Sequence, residues 1–250
     1  MTGTGLFRPM LALIVTGLIT GAAHAGLITN ITEGFEYTNT TELYDAGWSH
    51  LYGDQGDMVM ADENVNNRLP RSGTYCLLAP SNHQPNIVQK TYFAGGVTNA
   101  TVEFYLMHRN ISYLNSADSW MRLYADDGTY MYLKINSSNG SLIYDLNGAG
   151  DVTAPDDVTD HDSNGGLWNK FTFEYDSEGT CVMSLNDDVQ FTNANAKNFS
   201  KIALGKSWND DLRGRQSAYD DLSISVIPEP AALGLMGLGV AALLLRRVRS

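Results

Sequence analysis

Three carboxylates, Glu174, Asp176 and Glu178, are spaced two apart along a run that alternates apolar and polar residues. In an extended strand, residues at i, i+2 and i+4 line one face, so this E-x-D-x-E pattern sets three acids side by side. Two carboxyl groups on one face are what a retaining glycosidase uses, one to attack the sugar and one to protonate the leaving group. That chemistry needs them about 5–5.5 Å apart. Four residues of strand put Glu174 and Glu178 roughly 13 Å apart at about 3.3 Å per residue, so the strand would have to bend. Asp176-Ser177-Glu178-Gly179 instead has the composition of a hairpin turn between two patterned strands, because Asp, Ser and Gly each favour turn geometry. Glu178 then sits in a turn and not on a cleft floor, and no catalytic residues are expected.

A second constellation is suited to binding. With period two, Trp120, Arg122 and Tyr124 share one face, and Met121, Leu123 and Ala125 the other. Asp126-Asp127-Gly128 reads as a hairpin turn. Beyond it Tyr130, Tyr132 and Lys134 oppose Met131, Leu133 and Ile135. One face is apolar core. The other is a surface of rings and cations, extended by Tyr105. Flat rings stack on the apolar faces of sugars while polar neighbours take the hydroxyls. Tyr105, Trp120, Arg122, Tyr124, Tyr130 and Tyr132 are therefore the candidate glycan-binding residues. His50, His83, His108 and His161 are scattered, without metal or triad spacing. Cys76 and Cys181 lie in strand-like runs beside apolar residues. They either form a disulfide, which an oxidising compartment permits, or stay as two buried thiols.

The elements that must carry these residues are short strands. Alternating runs at 101–106, 120–125, 130–135, 167–175, 180–185 and 218–226 are bounded by Gly, Asn, Asp and Ser. No helical periodicity is evident between residues 27 and 227. Residues 147–166 read as a long irregular loop carrying Asp151, Asp156, Asp157, Asp160 and Asp162. Many short strands at this spacing predict an all-β sandwich or jelly roll in one domain. Seven Asn-x-Ser/Thr triplets read as turn chemistry.

Both ends are targeting segments. Arg8, the apolar stretch 10–19 and Ala23-His24-Ala25 form a signal peptide over residues 1–25, cleaved after Ala25. At the other end, Pro228-Glu229-Pro230 cannot join a helix or a sheet ladder. An apolar run of fifteen residues, 231–245, follows it, and then Arg246, Arg247 and Arg249. That run is expected to be one short transmembrane helix held by its arginines on the cytoplasmic side. Residues 26–226 are the expected β-sandwich domain and 227–250 the tail. The whole chain carries a net charge of −12; the exported part, with 12 basic residues against 27 acidic ones, carries −15. Such a surface repels nucleic acid and anionic lipid.

The tail resembles the PEP-CTERM sorting signal of exported bacterial proteins in its Pro-Glu-Pro motif, apolar run and basic end. That resemblance implies processing by an exosortase-type enzyme and a transient anchor in the inner membrane. It further implies a place at the cell surface or in the extracellular matrix of bacteria that make exopolysaccharide. The body resembles the second half of a concanavalin A-like (laminin-G-like) jelly roll. The residues that carry this are Gly166-Leu167-Trp168 through Asp176, Gly179-Thr180 through Asn186, Ile202 to Gly205, and Tyr219-Asp220-Asp221-Leu222-Ser223-Ile224. Asn186-Asp187 departs from the Asn-Gly usual there. The galactose-binding-like jelly roll is the alternative arrangement. The resemblance implies an antiparallel jelly-roll β-sandwich whose opening, Gly34-Phe35-Glu36, lies near its last strand. It also implies a structural Ca²⁺ held by Glu36 with Asp220 or Asp221. Only one of that adjacent pair is expected to bind, since neighbours on a strand face opposite ways. The expected function is non-catalytic: a structural or lectin-like, polysaccharide-binding protein. The alternative is a laminarinase-type retaining hydrolase on the same scaffold, using Glu174, Asp176 and Glu178.

Overall fold

The computed structural model of the chain describes residues 29–52, 59–61, 70–78, 86–107, 119–135, 140–158, 168–206 and 217–227. The expected signal peptide, the Pro228-Glu229-Pro230 motif, the apolar run at 231–245 and His83, His108 and His161 lie outside these residues. One compact unit spans Asn30–Ser225.

The strands are β1 (Thr29–Glu33), β2 (Ser49–Tyr52), β3 (Val59–Ala61), β4 (Cys76–Leu78), β5 (Asn86–Thr91), β6 (Ala100–Met107), β7 (Ser119–Tyr124) and β8 (Tyr130–Ile135). They continue as β9 (Ser141–Leu146), β10 (Val152–Asp157), β11 (Asn169–Tyr175), β12 (Cys181–Leu185), β13 (Asp188–Asn193), β14 (Lys201–Lys206) and β15 (Ala218–Val226). The first sheet runs β13-β12-β11-β6-β15-β4-β3, with β1 also on β15. The second runs β10-β9-β8-β7-β14-β5-β2. Chain neighbours such as β13 and β14 lie in different sheets, which is the crossing pattern of a jelly roll. The all-β, jelly-roll sandwich is therefore the fold observed.

Period-two alternation places the core. Val102, Phe104 and Leu106 of β6 and Phe171 and Phe173 of β11 are fully buried from the first sheet. Met121, Leu123, Met131, Leu133, Ile135, Ile202 and Leu204 are buried from the second. Phe104 stacks on Phe171 at 5.5 Å between ring centroids and on Phe173 at 6.0 Å.

One residue ties the sheets together. Tyr219 of β15 is fully buried, and its hydroxyl reaches the backbone of the opposite sheet. It lies 2.6 Å from the Gly205 carbonyl and 2.9 Å from the Trp120 carbonyl, and accepts the Trp120 N–H at 3.3 Å. Tyr219→Phe keeps the ring and strands these buried backbone groups, an expected cost of about 1–3 kcal/mol. A lowered denaturation midpoint at unchanged slope would show it, and an unchanged midpoint would contradict it.

Two expectations need correction. Among the described residues the sandwich contains one short helix, α1 (Thr40–Asp45), which is too short for a periodic signal. Asn39, the first residue of an Asn-x-Thr triplet, caps it by accepting the Glu42 N–H at 3.1 Å. The irregular stretch 147–166 contains strand β10, which pairs with β9 through an interrupted register. Its lone buried residue, Ala154, offers too little alternation to read as a strand. The Asn186-Asp187 turn, in contrast, works without glycine. Both residues take positive φ, 51° and 74°, the geometry a two-residue hairpin between β12 and β13 demands.

Candidate functional site

The outward face of the second sheet gathers the predicted rings. On β7 and β8 the pairs Trp120↔Lys134, Arg122↔Tyr132 and Tyr124↔Tyr130 stand opposite one another. Apolar partners point inward by alternation, so these side chains point away from the core. Arg122 occupies the centre. Its guanidinium carbon lies 4.7 Å from the Trp120 ring centre, 4.4 Å from Tyr130, 5.3 Å from Tyr132 and 5.7 Å from Tyr124. One terminal nitrogen donates to the Tyr124 hydroxyl at 3.3 Å, while Nε is buried without a partner among the described residues.

Non-consecutive strands complete the face. Ala203 of β14 stands opposite Arg122, and Lys201 opposite Tyr124. Gln89 of β5 stands opposite Ala203 on its other side. One lateral row therefore runs Gln89, Ala203, Arg122, Tyr132, Asp145. The Lys201 ammonium sits 4.1 Å from the Tyr124 ring centre. Gln89 Oε1, like Arg122 Nε, is buried without a partner.

The rings are not equally accessible. Trp120 is only 5% exposed and clusters with Ile87, Ala203, Leu51 and Tyr132. It is the floor of the site and not a stacking platform. Tyr124, Tyr130, Tyr132, Arg122 and Lys201 are half-buried and offer edges and faces to solvent. Tyr105 does not join them. It lies on β6, in the first sheet, with the Arg71 guanidinium over its ring at 3.4 Å. The same alternation marks both residues, but only the strand order tells which sheet a strand enters. Lys201 and Gln89 were not singled out from sequence; the alternation of Lys201-Ile202-Ala203-Leu204-Gly205 was the signal for Lys201, while Gln89 reaches the face only through the pairing of β5 with β14.

The E-x-D-x-E acids lie elsewhere. Glu174 is exposed on β11 between buried Phe173 and Tyr175, so it points out from the first sheet, on the opposite side of the sandwich from the aromatic face. Asp176 Oδ1 accepts the Thr180 N–H at 2.8 Å and the Glu178 N–H at 2.9 Å. These backbone donors, Thr180 foremost, hold its carboxyl below the usual carboxylate range. Glu178 is exposed in the turn itself.

Glu36, Asp220 and Asp221 do converge, around the segment 71–74. Glu36 accepts the Thr74 N–H through both oxygens, at 3.1 and 2.9 Å. Asp220 accepts the N–H of Arg71 at 2.8 Å, of Ser72 at 3.2 Å and of Asp221 at 2.8 Å. Asp221 takes the Arg71 guanidinium and the Ser72 hydroxyl. The expectation that only one aspartate could act here is corrected: Asp221 has φ 48°, which breaks the strand alternation and turns both carboxylates to one segment. The groups facing these acids are hydrogen-bond donors, whereas Ca²⁺ requires oxygen ligands. The residues as arranged do not fit a cation, and among the described residues no group of three His, Cys, Asp or Glu does.

Cys76 and Cys181 are free and buried. The disulfide alternative is corrected: β4 and β12 are separated by β15, β6 and β11 in the first sheet. Four strand spacings make roughly 19 Å, far beyond the approximately 7 Å Cα limit of a disulfide. Burial pushes the Cys181 thiol well above its ordinary range.

Known structures share this two-sheet jelly-roll fold. The Crh5 transglycosylase superposes with TM-score 0.53 at 10% identity, covering 81% of this chain and 85% of that one. Cellulose induced protein Cip1 gives 0.52 at 16%, covering 78% and 96%. β-Agarase B from Zobellia galactanivorans gives 0.53 at 9%, covering 80% and 93%. Identities this low carry the fold and nothing finer. Residues 226–249 match the PEP-CTERM protein-sorting motif, the mark of an exported protein. No curated protein matches the sequence. Among the described residues, no helix is long and apolar enough to cross a membrane.

Proposed function

We propose that the chain is an exported, non-catalytic protein of the cell surface or extracellular matrix that binds polysaccharide through the outward face of its second sheet. An exosortase-type enzyme acting at Pro228-Glu229-Pro230 would release it from its transient membrane anchor, in keeping with the sorting motif at 226–249. The observation that carries the reading is Arg122, ringed by Trp120, Tyr124, Tyr130 and Tyr132 with a buried Nε that no group among the described residues satisfies. Half-exposed rings supply apolar stacking surface, and unspent polar groups supply direction, which is how a sugar is held.

The laminarinase-type alternative is less well supported. Its three acids sit across the sandwich from the rings, and the Asp176 carboxylate is engaged by its own turn. A sugar lying on the aromatic face would be a sheet packing distance of about 10 Å or more from them.

Tyr132→Ala is expected to weaken polysaccharide binding at least about tenfold, equivalent to about 1.4 kcal/mol, at a temperature where circular dichroism shows the variant folded. Affinity electrophoresis against a panel of gels containing different polysaccharides would measure it. Wild-type affinity in the variant, or shortening of any of the polymers by the wild-type protein, would overturn the reading.

A further inference from the structure

We infer that the aromatic face takes an anionic glycan, with Arg122 and Lys201 receiving a carboxylate or sulfate group carried by the sugar. This rests on the reading of that face as a glycan site and adds the charge of the ligand. The chain as a whole is acidic, with 28 Asp and Glu against 16 Lys and Arg. Among the described residues most cations find a carboxylate. Arg71 pairs with Asp221, Lys90 with Glu33, Lys170 with Asp187 and Lys197 with Asp127. On the aromatic face itself Lys134 is neutralised by Asp151 at 2.6 Å.

Arg122 and Lys201 are the departure. Among the described residues neither has a carboxylate within ion-pair distance; each has only rings, and Arg122 the Tyr124 hydroxyl. The two are diagonal neighbours across the β7–β14 pairing, since Arg122 faces Ala203 and Lys201 faces Tyr124. Diagonal neighbours on a sheet are about 7–8 Å apart, so two like charges stand together with no counter-charge between them. Both are half-buried, which removes part of their hydration. Ring faces offset this only in part. An anion seated between them would answer both charges. It would also take N–H donors of the half-buried Arg122 guanidinium, because a carboxylate or sulfate accepts two N–H groups from one guanidinium edge. Gln89 lies beyond Ala203 in the same row, and its buried Oε1 has no hydrogen-bond partner among the described residues. The acidic remainder of the surface does not forbid this, since exposed charges are screened beyond about 8 Å at physiological ionic strength.

The test uses the full-length chain in mild detergent and four probes: polygalacturonate, its carboxyl-reduced neutral form, dextran sulfate and dextran. At least one anionic polymer is expected to bind about tenfold or more tightly than its neutral counterpart. Which one does so separates a carboxylate from a sulfate ligand. The preference is expected to disappear in Lys201→Met and in Arg122→Gln, and to persist in Lys197→Met, whose lysine is paired with Asp127. Equal affinity for the anionic and neutral polymers would overturn the inference while leaving the glycan-binding reading intact. A preference that survives both face variants would overturn it as well. Failure to bind any of the four would overturn both.

Discussion

Gly205→Ala is expected to cost more than about 3 kcal/mol and to lower the melting temperature by roughly 6–12 °C, given about 2–4 °C per kcal/mol for a domain of this size. A β-carbon at Gly205 would lie 2.0 Å from the Asn86 carbonyl oxygen and 2.8 Å from the Ile87 α-carbon. Both are backbone atoms of β5, and β14 is held in register by β5 on one side and β7 on the other. Neither neighbour can retreat without breaking ladder hydrogen bonds. The Gly205 carbonyl also meets the Tyr219 hydroxyl, so any shift of β14 loosens the tie between the sheets. Overpacking usually costs about 1–3 kcal/mol because side chains yield; here the obstacle is backbone. Gly128→Ala is the control. Gly128 has φ 86° with open space where a β-carbon would go, so only the conformational cost of about 1–2 kcal/mol applies. Thermal denaturation followed by circular dichroism compares the two. A Gly205→Ala protein melting no lower than the Gly128→Ala protein would contradict the packing described for β5 and β14.

Asp220→Ala is expected to lose about 2–4 kcal/mol, because it leaves the N–H groups of Arg71, Ser72 and Asp221 without their acceptor. The acid itself makes stability depend on pH in an unusual direction. Burial, the dominant cause, pushes its pKa up to about 7, against about 3.9 for an unfolded aspartate. Between these values the folded chain holds a proton that the unfolded chain has released. This contribution to stability is therefore complete below about pH 4 and is lost as pH rises through about 7. Asp127 and Asp176 act oppositely. Hydrogen-bond donors, Lys197 for the first and the Thr180 N–H for the second, lower their pKa, so their contribution is lost only as pH falls below the carboxylate range. Wild-type protein is expected to melt at a higher temperature at pH 5 than at pH 8, and Asp220→Asn to show a flatter profile. A wild-type profile that rises from pH 5 to pH 8, or a variant profile parallel to it, would show that Asp220 is not the group responsible.

What the sequence made legible was local. Strands 130–135 and 218–226 are observed with those limits, and the turn at Asp126-Asp127-Gly128 joins β7 to β8 with Gly128 at positive φ. Period-two alternation assigned Met121, Leu123, Met131 and Leu133 to the core. Strands such as β3 and β4, of three residues each, are too short to alternate. The rest was hidden because it depends on non-local register. Nothing near Arg122 in the chain indicates that Ala203 and Gln89 lie beside it, more than thirty residues away on either side. Tyr105 was grouped with the wrong rings for the same reason, since its alternation resembles theirs and only strand order separates them. The Asp220-Asp221 pair was misjudged because one residue with positive φ reverses the facing rule.

The central claim is that a glycan sits on the outward face of the second sheet and is not cut there. An amide and side-chain NMR titration of the protein with an oligosaccharide it binds tests this most directly. The account predicts that shifts concentrate at Gln89, Arg122, Tyr124, Tyr130, Tyr132 and Lys201, with the sugar signals intact after prolonged incubation. Shifts centred on Glu174 and the 176–180 turn, or the appearance of new reducing-end signals, would contradict it.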